Sequence, residues 1–153
     1  MPLPNDEIPA LCLKWADGHA DAAAFLENWT RIVRMADDIA DGDSAAPVPD
    51  MAEVLFRCLT VNANNAFFQA HVGALSAVMS NAIMLWVKSE EWRQSPNGKT
   101  RMFGFVGREA VEHVAYTVAL LTGGYSHALS VVGDQHARSH QSSPETLAEW
   151  EAE

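Results

Sequence analysis

Apolar residues recur at spacings of three and four along three long stretches of the chain, and this pattern restricts the fold most strongly. Such spacings place side chains on one face of an α-helix. Sustained strand-type alternation is absent from the sequence, so we predict an all-α protein. The predicted buried stripes are Phe25, Trp29, Ile32, Ala36 and Ile39; then Phe68, Val72, Leu75, Met79, Ala82 and Trp86; and then Phe103, Gly107, Ala110, Val114, Val118 and Leu121.

Local signals set the predicted helix ends. Gly42 should end the first long helix, because glycine readily takes the left-handed conformation that closes a helix. Asp50 and Glu53 have the spacing of a capping box. Gly104 and Gly107, inside a helical pattern, predict close approach of a neighbouring helix. The predicted helices are about 10–17, 20–41, 51–61, 66–92, 100–122 and 126–132, with a last short helix starting at Ser143-Pro144.

These segments predict one domain over residues 1–153, an antiparallel bundle of five to six helices. A loose arm (about 1–18) and an acidic tail (about 140–153) should flank the bundle. The stretch Ala66 to Val87 contains Gln69 and His71 among its apolar residues, so we predict a buried helix and no membrane span. Cys12 and Cys58 fit no metal or disulfide pattern and should pack as small apolar groups, which favours a cytoplasmic protein.

The charge of the chain is strongly negative and unevenly distributed. The formal net charge is −10, and residues 1–53 carry 11 acidic and 3 basic residues. A ligand surface for nucleic acid needs a basic face, so direct nucleic-acid binding is not expected. The acidity is compatible with metal cations, with basic protein partners, or with solubility alone.

Aspartates crowd the predicted end of the first long helix, at Asp37, Asp38, Asp41 and Asp43. The carboxyl end of a helix already carries partial negative charge, and acids one turn apart repel one another. Two explanations stay open. Arg34 can pair with the nearer aspartates, or Asp37, Asp38 and Asp41 can hold Mg²⁺ or Mn²⁺.

The segment Asp37-Asp38-x-x-Asp41 resembles the aspartate-rich motif of class I isoprenoid synthases, which implies Mg²⁺ and a substrate diphosphate. The second metal motif of those enzymes is missing here. All-helical nucleotide pyrophosphohydrolases are similar in size, but only Glu109-x-x-Glu112 resembles their paired glutamates.

A wider resemblance is to small helical proteins encoded by tailed phages and prophages. It implies a phage context and, for a phage-encoded chain, the host cytoplasm, with no assigned activity. The residues that carry it are Trp29, Arg34-Met35-Ala36-Asp37-Asp38-x-x-Asp41, Asn65-Ala66-Phe67-Phe68, His71, and Leu120-x-x-Gly123-Gly124-Tyr125-x-His127.

Glu109 and His113 lie one turn apart at the edge of an apolar stripe and form a candidate acid–base pair. The simpler explanation is an internal hydrogen bond between them, or a pair with Arg108 or Arg101. Arg34 and Arg108 are the candidate anion-binding residues.

Two functions remain open from the sequence. The first is a small helical interaction protein that binds another protein or itself and has no catalytic motif. The alternative is a Mg²⁺-dependent hydrolase or transferase acting on a diphosphate or nucleotide.

Overall fold

A computed structural model describes residues 7–141 and 146–152, except for the side chains of residues 140 and 141. The described residues are helical and contain no strand, which confirms the predicted all-α class. The helices are α1 (Ile8–Trp15), α2 (Ala20–Asp41), α3 (Pro47–Phe56), α4 (Ala66–Ala70), α5 (Val72–Arg93), α6 (Gly98–Gly107), α7 (His113–His136) and α8 (Leu147–Trp150). A π turn, Arg57–Val61, continues α3, a 3-10 turn, Arg108–Glu112, joins α6 to α7, and a π turn, Ala137–Gln141, follows α7.

Helix α2 has the bounds predicted from sequence, because local signals set both of its ends. At its start, the His19 ring accepts a hydrogen bond from the backbone N–H of Ala22. At its end, Gly42 takes a φ of 81°, in the left-handed region. Its inward face buries Phe25, Trp29 and Ile32, as the stripe predicts.

The core lies where α2 meets α1, α5 and α7. Leu75 and Ala82 of α5 and Val114 and Val118 of α7 are almost fully buried beside the α2 stripe. Three stripe residues are placed wrongly by the prediction, since Val72 is 49%, Phe103 61% and Leu121 36% exposed. The periodicity of apolar residues predicts which face of a helix is buried. It does not predict how much of the length of that face a neighbouring helix covers.

Several predicted helix boundaries are wrong. The second predicted helix begins four residues early, at Pro47, because proline suits the first turn, where no N–H is needed. Asp50 is therefore inside α3 and accepts a hydrogen bond from the Ser44 hydroxyl instead of capping the helix. The single helix expected at 66–92 is interrupted at His71, whose φ of −124° is not helical. One predicted boundary is confirmed, because α7 is broken at Gly124, with φ 75° and ψ −173°, in the gap between the predicted helices 100–122 and 126–132.

The N-terminal segment is not a loose arm over the part that the structure describes. Helix α1 packs on α2 and α7 and buries Leu11, Cys12 and Trp15. Residues 146–152 of the acidic tail also contact the bundle. Trp150 is fully buried, and Arg101 Nε lies 2.6 Å from a Glu151 carboxylate oxygen. The expected helix start at Ser143-Pro144 lies outside the described residues.

A close helix contact is confirmed at Gly104. A Cβ added there would lie 2.9 Å from a Trp150 ring carbon and 3.2 Å from the Ser89 carbonyl oxygen. At Gly107 the nearest atom, in the Leu85 side chain, would be 4.0 Å away, which is ordinary contact. The prediction of close approach therefore holds for Gly104 and not for Gly107.

Helix α5 is less buried than the sequence predicts. Among the described residues it is the one helix long and apolar enough to cross a membrane, with a mean hydropathy of 1.3 in its most apolar window, and 17% of that window is buried. Its buried residues are Leu75, Ala82 and Ser89, because its apolar side chains are spread around the helix and neighbours cover only part of it. Length and composition alone support a membrane span here, and they do so weakly.

Candidate functional site

A pocket of about 300 Å³ lies between α2, α3, α5 and the 3-10 turn. Its walls are mostly apolar, and the Trp29 indole, whose N–H donates to the Val111 carbonyl at 3.0 Å, is fixed in one of them. The volume is at the lower end of the range typical of small-molecule sites. The lining residues are Trp29, Ile32, Val33, Ala36, Asp37, Val54, Cys58, Ile83, Trp86, Arg108, Glu109 and Val111.

Three charged side chains line this pocket, Asp37 from α2 and Arg108 and Glu109 from the 3-10 turn. Arg108 Nε lies 3.7 Å from a Glu109 carboxylate oxygen, a distance typical of a loose ion pair. The structure therefore brings together a predicted metal ligand, Asp37, a predicted anion-binding residue, Arg108, and a predicted catalytic residue, Glu109.

Neighbouring negative charges act on the Asp37 carboxyl group, as its position near the end of α2 predicts. Burial beside the pocket, followed by the negative charge of Asp41, raises the pKa of Asp37. The Arg108 guanidinium acts in the opposite direction. Asp38 and Glu90 add smaller increases, so the balance of charge around this carboxyl is negative.

The other predicted metal and anion ligands do not line the pocket. Asp38 and Asp41 are exposed near the end of α2, and Arg34 is half-buried. Within residues 7–141 and 146–152, no group of three or more His, Cys, Asp or Glu side chains is arranged to hold a metal ion. The Mg²⁺-dependent alternative stays a prediction.

The two members of the predicted acid–base pair, Glu109 and His113, lie in different surroundings. Glu109 lines the pocket, whereas His113 is exposed and its ring lies 5.6 Å from that of Tyr116. Glu112, between them in sequence, accepts a hydrogen bond of 3.0 Å from the Tyr116 hydroxyl. Burial, followed by the negative charge of Glu112, raises the pKa of Tyr116.

A second feature is an uncovered apolar surface on α3. Neither α3 nor the π turn after it contains a buried residue. Leu55 is 53% and Leu59 73% exposed, although both are large apolar side chains. We call the exposed apolar residues along this side of the helix the outer stripe; its members are Val48, Met51, Leu55 and Leu59.

The outer stripe exists because the apolar arc of α3 is wider than its contact with the bundle. At 100° per residue, apolar side chains cover roughly 220° of the helix surface. Val54 and Cys58 face the pocket and occupy only the inner part of this arc. The polar part carries Glu53 and Arg57, which form an ion pair at 2.5 Å.

Further exposed apolar groups lie on other helices. They are Leu13 on α1; Val72, Ile83, Met84 and Val87 on α5; Met102, Phe103 and Val106 on α6; and Leu120, Leu121, Tyr125, Leu129 and Val132 on α7.

Sequence reasoning missed the pocket and the outer stripe. Cys58 was expected to be packed inside, yet it is exposed at the pocket, whereas Cys12 is buried as predicted. The apolar content of 48–59 was a signal for the outer stripe, because Val48, Met51, Leu55 and Leu59 recur at spacings of three and four. It was visible in the sequence, but it looked like an ordinary core-facing pattern.

The fold and the site define an all-α bundle with a mainly apolar pocket and an uncovered helix face, within the described residues. Comparison of the chain with protein-family models, with curated proteins and with solved structures finds no match.

Proposed function

We propose that this chain is an interaction protein that associates with a second copy of itself through the outer stripe of α3. The observation that carries the proposal is the absence of any buried residue along α3 and its π turn, Pro47–Val61. An apolar stripe of this length is costly to leave in water and is typical of a protein contact surface.

The outer stripe carries no charge, so a second copy can lie against it although two chains that each carry a net charge of −10 repel one another over most of their surface. The charged pair on the polar part of the helix is satisfied within the chain, because Arg57 binds Glu53 at 2.5 Å and donates a hydrogen bond of 3.1 Å to the Asn28 side-chain oxygen. A two-fold contact centred on the stripe therefore brings no like charges of this pair together.

The proposal is tested by the molar mass of the wild type and of Leu55→Glu/Leu59→Glu, measured by light scattering after size exclusion. We expect twice 16.7 kDa for the wild type and 16.7 kDa for the variant, with an unchanged circular dichroism spectrum. Both side chains are exposed, so the folded monomer should tolerate the substitutions.

Met84→Glu/Val87→Glu is the matched control, because it adds the same charge to exposed apolar positions of α5. It should leave the dimer intact. A monomeric wild type, or a dimer that dissociates with the α5 variant and not with the α3 variant, would overturn the proposal.

A further inference from the structure

The pocket lies on the inner side of α3, away from the outer stripe, and Val54 and Cys58 line it from that helix and its π turn. We propose that this pocket binds a small apolar molecule that carries a protonated amine. The apolar body would lie between Trp29 and Trp86, and the amine would lie beside the Asp37 carboxylate.

The apolar walls determine the body of the ligand. Nine of the twelve lining residues are apolar or thiol-bearing, and two of them are tryptophans. Indole faces bind apolar groups well and also attract cations. A pocket of about 300 Å³ accommodates a molecule of roughly ten non-hydrogen atoms.

The charged lining determines the sign of the head group. The charged side chains that line the pocket are two acids, Asp37 and Glu109, and one base, Arg108. Arg108 acts on Asp37 against its acidic neighbours, but Asp41, Asp38 and Glu90 outnumber it, so the charge around Asp37 is negative on balance. A cation is stabilised in this surrounding, whereas a carboxylate or phosphate head group is repelled.

The test uses three ligands that share one apolar body and differ in charge: 3-phenylpropylamine, 3-phenylpropan-1-ol and 3-phenylpropionate. Binding is measured by calorimetry and by tryptophan fluorescence. Ligands of this size reach dissociation constants of only about 0.1 to 1 mM. We expect the amine to bind about tenfold more tightly than the alcohol, because both head groups can donate to the Asp37 carboxylate but only the ammonium adds an attraction between opposite charges.

The variant Asp37→Asn separates charge recognition from burial. It should reduce amine binding about tenfold, to the affinity of the alcohol, and leave alcohol binding within about twofold. Asp43→Asn, exposed beyond the end of α2, is the matched control and should change neither affinity. Equal binding of amine, alcohol and carboxylate, or an amine preference that survives Asp37→Asn, would overturn the proposal.

Filling the pocket tests its location. Ala36→Phe places a ring in the pocket and should abolish amine binding, whereas Ala24→Phe, exposed on the same helix, should not. Cys58→Phe fills the pocket from the α3 side and serves if Ala36→Phe does not fold. Full amine binding by a folded, filled variant would show that the site lies elsewhere and would refute the proposal.

The dimer and the pocket are tested separately by Leu55→Glu/Leu59→Glu, since neither side chain lines the pocket. We expect this variant to bind the amine with unchanged affinity. Failure of self-association therefore leaves the pocket proposal intact, and failure of amine binding leaves the proposed function intact.

Discussion

The Trp15 indole N–H donates a hydrogen bond of 2.9 Å to the Asp134 carboxylate, joining residues that are 119 positions apart in the chain. The Lys14 ammonium lies 3.0 Å from the other oxygen of the same carboxylate. These contacts hold α1 against the C-terminal half of α7. A His127 ring nitrogen, 3.0 Å from the Trp15 carbonyl oxygen, adds a second link between the same helices.

Asp134→Asn should lower the free energy of unfolding by about 1–2 kcal/mol at neutral pH, because a charged acceptor of two donors is lost. Burial acts to raise the pKa of Asp134, but hydrogen bonds from Trp15 and Lys14 outweigh it, and the pKa is lowered. A lowered carboxyl pKa stabilises the fold above the unfolded value of about 3.9, and this contribution is lost as the pH falls through the folded value.

Urea denaturation at pH 7 and at about pH 3 checks this prediction. The difference between wild type and Asp134→Asn should shrink at the lower pH. Asp43→Asn, at an exposed position, is the control and should change stability little at either pH. An Asp134→Asn effect of equal size at both pH values would contradict the assigned role of the charge.

Gly104→Ala should destabilise the fold by about 1–3 kcal/mol, as overpacking commonly does. The new methyl group would meet the buried Trp150 ring and the backbone of Ser89, and neither can move freely. Gly73→Ala in α5 is the matched control. Nothing lies within 4 Å of the added Cβ, so the stability of this variant should equal or slightly exceed that of the wild type. Thermal melting distinguishes the two, and equal melting temperatures would refute the close contact.

Asp37→Asn should raise the melting temperature at pH 7. The pKa of Asp37 is raised by burial and by neighbouring acids, so its charged form is less favourable in the folded protein than in the unfolded chain. This cost is present above the folded pKa and disappears as the pH falls below the unfolded value. The gain should therefore vanish near about pH 3. A variant that melts below the wild type at pH 7 would show that the carboxylate stabilises the fold.

The two cysteines should react very differently with a thiol reagent at pH 8. Cys58 is exposed, whereas Cys12 is buried and burial raises its pKa to about 12. Because the thiolate is the reactive species, only Cys58 should be labelled in the folded protein, and both cysteines in denaturant. Cys58→Ser supplies the control, and rapid labelling of that variant would contradict the packing of α1.

The sequence predicts those parts of the fold that local signals determine. The bounds of α2 follow from the cap at its start and from Gly42 at its end. The break at His71 was not predicted, because its apolar neighbours continue a helical pattern across it. Periodicity also could not show that Phe103 faces solvent, since that depends on where neighbouring helices end.

The candidate site was predictable only residue by residue. The repulsion among aspartates at a helix end predicts a role for Asp37, and the position at the edge of an apolar stripe predicts one for Glu109. Their shared pocket depends on the packing of α2 against the 3-10 turn, which no local signal specifies. The wide apolar arc of α3 looks the same in sequence whether the bundle or a second chain covers it.

Cross-linking at the middle of the outer stripe tests the central claim most directly. A two-fold pair brings the residue near the centre of its interface close to its own copy. In a Cys58→Ser background, Leu55→Cys should therefore be joined between chains by a short bifunctional maleimide, and Thr60→Cys, exposed on the polar side of the helix, should stay monomeric. No cross-link at position 55, or equal cross-linking at 55 and 60, would contradict a second copy on the outer stripe.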